Sequence, residues 1–277
     1  MRTGEAWECP QLAVYEDGRA LLLTSAWYQR TGPGQVVAWA GTADGDRYHF
    51  GAPFRFDHGP DFYAPALLRA PDERWLLWGW SWEARERPGD WAGVLTLPRE
   101  VTLTPDGRAH QAPARELVGL RTGRPLTVVR DALPGESVEL GTCAGATDIT
   151  VRIDFGAEAA WGLRVVTGDD PAEYLDLAVV DGALLVDRGH ASGDPRAHVG
   201  TCRMPLPQAA PGHSVELRLI LDHSIAEVFS DLGEALTLRH YPSGTGPWRL
   251  LSRGLAAHPV QLDLVAHTLS APAGDER

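Results

Sequence analysis

The stretch PQLAVYEDGRALLLTSAW (10–27) returns 55 positions later as PALLRAPDERWLLWGWSW (65–82). Without a gap, Pro10 falls on Pro65, Leu12 on Leu67, Asp17 on Asp72 and Arg19 on Arg74. Leu21, Leu22 and Trp27 then fall on Leu76, Leu77 and Trp82, so seven of eighteen positions are identical. This is an internal repeat, and each copy reads as four short strands separated by turn residues. In the first copy they span roughly 8–15, 20–28, 35–41 and 47–56, with turns at Asp17-Gly18, Gly32-Pro33-Gly34 and Asp44-Gly45. In the second they span roughly 62–69, 74–82, 92–103 and 107–112, with turns near Pro71-Asp72, Pro88-Gly89 and Asp106-Gly107. Four-stranded meanders at this interval are the mark of β-propeller blades. A closed ring takes at least about four blades, so two make only part of one.

The composition changes after the repeat. Eight of the ten tryptophans lie between Trp7 and Trp91, and only Trp161 and Trp248 follow. APARELVGLRTG (112–123) reads as a linker with one or two helical turns that place Leu117 and Leu120 on one face. Further strands are expected over 125–130, 136–142, 147–155, 160–167, 173–180 and 183–187. Others follow over 198–204, 214–222, 225–230, 234–241 and 258–267, with His223-Ser224 turning a hairpin. Many short strands with turn signals about every ten residues indicate a β-sandwich. The chain is therefore read as all-β, with part of a propeller over 1–112, a linker over 113–122 and a β-sandwich over 123–272. The tail APAGDER (271–277) reads as frayed.

Thirty-seven acids oppose 25 bases, a formal charge of −12. That excludes nucleic acid and anionic membrane as main partners, since both call for basic surfaces, and it suits a neutral ligand. The three cysteines, Cys9, Cys143 and Cys202, have no zinc-ligand spacing and read as small buried hydrophobes. The histidines show no metal spacing, and there is no phosphate loop, nucleophile elbow or CxxC, so no metal and no cofactor is expected. No apolar run approaches the ~20 residues of a membrane span, and MRTGEAWECP lacks the apolar core of a signal peptide. As given, the chain reads as cytoplasmic.

The first strand of a propeller blade lines the axial channel, where ligands bind. Glu8 heads such a strand beside Trp7, and Tyr63 takes its place in the second copy. A partly desolvated carboxyl there suits a general acid; the plainer alternative is a rim carboxylate bonded to a neighbouring strand. Asp61 and Tyr63, in GPDFYAP, start the next inner strand, and with Asp57 in FDHG are candidates to bind sugar hydroxyls or to serve only as turn residues. Trp78, Trp80 and Trp82 alternate and so share one face, more in keeping with core than with a sugar platform; Trp80 is the one placed to reach the channel mouth. Asp222, Glu227 and Arg239 read as a structural network across the second sheet system, and Asp170-Pro171 and Asp194-Pro195 as turns.

Together, WECP (7–10), DFYAP (61–65), WGW (78–80), GVLTLPREVTL (93–103) and LDHSIAEVFSDLGEA…RHYP (221–242) resemble glycoside hydrolase family 32, the β-fructofuranosidases, levanases and inulinases. The motifs stand in the family's order from Trp7 onward. The resemblance implies a five-bladed propeller followed by a β-sandwich, of which this chain carries the last two blades and the sandwich. It implies retaining hydrolysis of sucrose or fructans, with Glu8 as general acid/base and Trp7, Asp61, Tyr63 and Trp80 at the sugar subsites. It also implies a nucleophilic aspartate in an Asn-Asp-Pro motif and a transition-state-stabilising aspartate in an Arg-Asp-Pro motif, both upstream of the glutamate. This chain has no asparagine and no Arg-Asp-Pro; its Arg130-Asp131-Ala132 lies in the second part. A retaining glycosidase needs two carboxyl groups ~5–5.5 Å apart, so the chain alone is expected to be inactive. The partners this implies are a neutral sugar and a chain supplying the missing blades, or further copies of itself. The alternatives are a non-catalytic fructan-binding or regulatory protein and a subunit of a split enzyme.

Overall fold

The computed structural model describes residues 1–85, 92–168 and 170–270. The expected turn at Pro88-Gly89 and the tail 271–277 lie outside them. Among the described residues the one helix is a 3-10 turn, Arg115–Leu120, which buries Leu117. The chain divides into two compact units. One comprises Met1–Glu83, Pro88–Arg115 and Leu232–Leu238, the other Ala84–Arg87, Glu116–Asp231 and Arg239–Arg277.

In the first unit, β1 (Ala6–Val14), β2 (Arg19–Tyr28), β3 (Gly32–Asp44) and β4 (Arg47–Phe50) form an antiparallel meander, and β5 (Phe54–Arg55) pairs back on β3. A second meander is built from β6 (Tyr63–Arg69), β7 (Trp75–Ser81), β8 (Val94–Leu95), β9 (Arg99–Leu103) and β10 (Ala109–Pro113), in the order β6-β7-β9-β10 with β8 beside β7. Two expected strands are broken. The segment 47–56 is interrupted at Gly51-Ala52-Pro53 and 92–103 at Thr96-Leu97-Pro98, where a proline cannot donate to a ladder. The expected turn Gly32-Pro33-Gly34 is instead the start of β3, and the chain reverses between Tyr28 and its partner Gly32. Gly34 answers to packing there: a Cβ on it would come within 2.5 Å of the Tyr28 ring.

The repeat is structural in detail. Asp17 and Asp72 close their turns by accepting from the Nε of Arg19 (2.6 Å) and Arg74 (2.8 Å), and Asp106 does the same with Arg108 (2.8 Å). Burial departs from the repeat in one informative way. In the first sheet Leu21 is fully buried and its neighbour Leu22 half-buried; in the second, Leu77 is fully buried and Leu76 half-buried. Adjacent strand residues face opposite sides, so in each pair the leucine turned to the other sheet is the fully buried one. Leu21, Leu23, Phe56, Phe62, Leu77 and Val101 form the shared core. The far side of the first sheet carries Leu22, Trp39 and Phe50, with Trp7, Leu12 and Tyr48 exposed beside or along its strands. The sheets do not close into a ring.

The second unit contains β11 (Arg121–Ala132), β12 (Ser137–Cys143), β13 (Ala146–Asp154), β14 (Trp161–Val166), β15 (Tyr174–Val180), β16 (Ala183–Asp187) and β17 (Thr201–Pro205). It continues with β18 (Ser214–Asp222) and β19 (Ile225–Ser230); β20 (Ala235–Arg239) falls mostly in the first unit, and β21 (Trp248–Arg253) and β22 (Val260–Leu269) complete the chain. One sheet runs β11-β22-β13-β18-β19 and the other β12-β21-β14-β15-β16-β17. Val151 and Leu217 from the first and Trp161 and Leu177 from the second line a single void of about 10 Å³, so the two inner faces meet in a closed apolar core. β21 was not expected from the sequence. Its six residues stand between a Ser-Gly-Thr-Gly-Pro loop and Gly254, yet Trp248, Leu250 and Ser252 alternate inward. The hairpin at His223-Ser224 and the turns at Asp170 and Asp194 form as expected, each aspartate accepting from the amide two residues on. Asp222 is exposed beside His223 (2.7 Å), apart from any buried network, whereas Glu227 and Arg239 are buried and Arg239 bonds Ser224.

Candidate functional site

Glu8 and Tyr63 occupy the same place in the two repeats, and the backbone there is the same. The β1–β2 ladder slips between Glu8 and Gln11, and the β6–β7 ladder between Tyr63 and Ala66. In each bulge the residue after the site residue takes positive φ, Cys9 at 48° and Ala64 at 45°, and a proline follows it. Pro10 and Pro65 have no N–H to continue the ladder, which favours a bulge at that step. The left-handed conformation costs a non-glycine residue roughly 1–2 kcal/mol, a strain of the kind kept where a side chain must be aimed. It also carries the Cys9 side chain outward: Cys9 is an exposed free thiol rather than a buried hydrophobe, and Cys202 is only half-buried. Cys143 is buried as expected, and burial pushes its thiol up to about 12.

The two bulges bring their site residues into contact. The Tyr63 hydroxyl donates to Glu8 Oε2 at 2.8 Å. Tyr63 is 4% exposed; burial first, then the hydrogen bond and charge of Glu8, raise its pKa and keep the phenol protonated. The amide of Ala64, released from its ladder, donates to Ser25 Oγ at 2.9 Å, and Ser25 is the cross-strand partner of Glu8. Gln11 Oε1 accepts from the Leu67 amide at 2.9 Å. Each strand is thus tied to the other by groups that the bulges set free.

Other expected residues are placed as follows. Trp7 is 54% exposed and leans on Trp39, with ring centroids 5.0 Å apart. Trp80 is 41% exposed and lies across the strand pair from Tyr63. Trp82, beyond the end of β7, stacks on Tyr63 (6.3 Å) and donates its indole N–H to Pro60, so the three alternating tryptophans do not share one fate. Asp61 is buried. Asp57 is buried too, and its carboxylate accepts from the amides of Gly59 (2.8 Å) and Thr237 (2.9 Å), from Thr237 Oγ1 (2.7 Å) and from Arg99 (2.7 Å). It is a structural centre, with no acceptor left over for sugar.

That centre is what sequence reasoning missed. Arg99, fully buried, also bonds Gln111 (3.0 Å) and stacks over the Phe62 ring, 4.5 Å from its centroid. Phe62 immediately precedes Tyr63 and packs against Gly79, where a Cβ would come within 2.2 Å of its ring. The glycine of WGW and the arginine of LPRE therefore hold the residue next to Tyr63. The signal was present as two motif fragments, but nothing local in the sequence joins Arg99 to Asp57. Among the described residues no group of acids, histidines or cysteines is arranged to hold a metal ion, and no helix is long and apolar enough to cross a membrane.

The model of the glycosyl hydrolases family 32 N-terminal domain matches residues 1–113, and that of the family's C terminal region matches residues 116–262. A levanase of Bacillus sp. (strain L7) is 26% identical over 258 residues, covering 84% of this chain and 28% of that protein. A raffinose invertase of Escherichia coli is 34% identical over 219 residues, covering 76% of this chain and 41% of that one. The fold matches the crystal structure of fructan 1-exohydrolase IIa from Cichorium intybus with a TM-score of 0.78 at 19% identity, over 95% of this chain and 62% of that one. The chain thus spans half or less of the length of these curated relatives. With family models covering nearly all of both units, the chain belongs to glycosyl hydrolase family 32.

Proposed function

We propose that this chain is the C-terminal portion of a β-fructosidase that hydrolyses sucrose or fructans with retention, and that Glu8 is its general acid/base. The observation that carries this reading is the Tyr63–Glu8 hydrogen bond. A phenol that donates to Oε2 makes that oxygen an acceptor, so the proton of a neutral Glu8 sits on Oε1. It is this oxygen that protonates the leaving glycosidic oxygen. In the second half-reaction the Glu8 carboxylate takes a proton from the water that attacks the fructosyl–enzyme bond. Trp7, Asp61, Tyr63 and Trp80 bind the sugar around it. The nucleophilic carboxylate comes from a segment outside these 277 residues, on the same chain or on another. Apolar groups left open on the far sides of the two sheets, the exposed Trp7 over Trp39 on one and the half-buried Leu76 with the exposed Trp80 on the other, support a reading in which further blades pack there.

The test is fructose release from sucrose and from levan. The purified chain is assayed alone and mixed with the N-terminal half of a family relative, beside Glu8→Gln and Tyr63→Phe. We expect no release from the chain alone, and release from the mixture that vanishes with Glu8→Gln. With Tyr63→Phe we expect a shifted pH profile, since that oxygen loses its donor. Release by the chain alone that Glu8→Gln abolishes would place a second carboxylate within it, and Asp61 would be the next residue to change. Release from the mixture that Glu8→Gln leaves intact would remove Glu8 from the mechanism.

A further inference from the structure

One cavity of the first unit is remote from Glu8. It measures about 400 Å³ and lies where the β1–β2 and β6–β7 turns approach β9. Its residues begin at Val14, six positions along β1 from Glu8, a distance of about 20 Å at ~3.3 Å per residue. The volume is that of a small-molecule cleft, which typically holds ~300–1,000 Å³.

Its walls are apolar and its rim is charged. Tyr15 and Trp75 contribute rings whose polar ends are already engaged: the Tyr15 hydroxyl donates to Val101 O (3.1 Å) and the Trp75 indole N–H to Val14 O (3.3 Å). Both side chains are only half-buried, so ring surface remains for a ligand. Around the rim stand five carboxylates and two guanidinium groups, which repels anions such as a sugar phosphate. Free cations fit no better, because Arg19, Arg74 and Arg69 already face Asp17, Asp72 and Glu73, and Arg74 also reaches Glu100 at 2.7 Å. Carboxylates mostly paired with guanidiniums around aromatic walls offer both acceptors and donors. That chemistry fits the hydroxyl groups and C–H faces of a neutral sugar.

We propose that this cleft is a second, non-catalytic carbohydrate site, which takes a stretch of fructan while another part of the same polymer reaches Glu8. The identity of the sugar rests on the family-based reading above; the existence of the site rests on the cleft. Holding a polymer at two points about 20 Å apart raises its effective concentration at the first. The site thus favours long substrates over sucrose.

Calorimetric titration of the purified 277-residue chain with an inulin-type oligosaccharide tests this. We expect equal binding by the native chain and by Glu8→Gln, and affinity weakened about tenfold or more by Trp75→Ala. Because Trp75 packs against the core, Glu16→Ala and Arg69→Ala at the rim serve as variants that leave the core untouched, and they too should weaken binding. Rim variants that bind like the native chain would overturn the site, as would heat on titration with spermidine but none with sugar. Binding lost in Glu8→Gln alone would overturn the second site and leave the acid/base reading standing. Rim-dependent binding without any Glu8-dependent fructose release in the mixture would do the reverse.

Discussion

Replacing Asp57 by alanine should cost the first unit about 3–5 kcal/mol, the usual cost of leaving one partner of a buried ion pair alone. The figure follows from the surroundings. Asp57 is 1% exposed and Arg99 is 0% exposed, so solvent screening relieves little of the loss. Removal takes this carboxylate from the buried Arg99 guanidinium, whose bonds to Gln111 and Thr237 do not replace its charge, and leaves the Thr237 amide without its acceptor. The double variant Asp57→Ala/Arg99→Met removes the stranded charge as well, and should be more stable than Asp57→Ala alone. Urea unfolding followed by tryptophan fluorescence is the assay, because eight of the ten tryptophans lie between Trp7 and Trp91 and report this unit. A cost under about 1 kcal/mol for Asp57→Ala, or a double variant whose cost is the simple sum of the two singles, would refute the view of this pair as one buried unit.

Ala64→Gly should stabilise the first unit by up to about 1 kcal/mol by relieving positive φ at 45°, read as a higher melting temperature. Gly79→Ala should displace Phe62 and, in the reconstituted enzyme, lower fructose release more than it lowers sucrose affinity, since Phe62 leads into Tyr63; unchanged kinetics would contradict that linkage. His240 is fully buried against Trp248; burial, then the charge of Arg239, lowers its pKa to about 3. The unfolded chain therefore binds the proton first. This contribution to stability is complete above pH ~6.5 and is lost progressively as pH falls toward about 3. Each tenfold change in proton affinity is worth about 1.4 kcal/mol, so between pH 6.5 and 5 the loss is roughly 2 kcal/mol, and His240→Phe should abolish it in urea titrations at the two pH values.

The order of the strands was legible because it is written locally. Asp17 and Asp72 head the same turn, and Pro10 and Pro65 force the same bulge, so one copy explains the other. Glu8 and Tyr63 could be set side by side because the repeat gives them equivalent places. What could not be read is what depends on contacts distant in sequence. Asp57 meets Arg99 and Thr237, 42 and 180 positions away, and a carboxylate near a glycine looks the same whether it awaits a sugar or four donors. Cys9 was misjudged for a related reason. Composition makes a cysteine hydrophobic, but a bulge decides which way it points. β21 was hidden by its flanks, whose glycines and prolines outweighed three inward-facing residues.

The duplicated bulge makes the position proposed for the acid portable. Carboxylate and phenol sit on interchangeable backbone frames, so which sheet bears the acid is a matter of side chain alone. A paired exchange, Glu8→Tyr with Tyr63→Glu, would keep donor and acceptor in contact while moving the proton one sheet further around. On the reading of Glu8 as the acid, the chain thus holds two stations whose backbone already makes the same bend, one fitted with a carboxylate and one with a phenol.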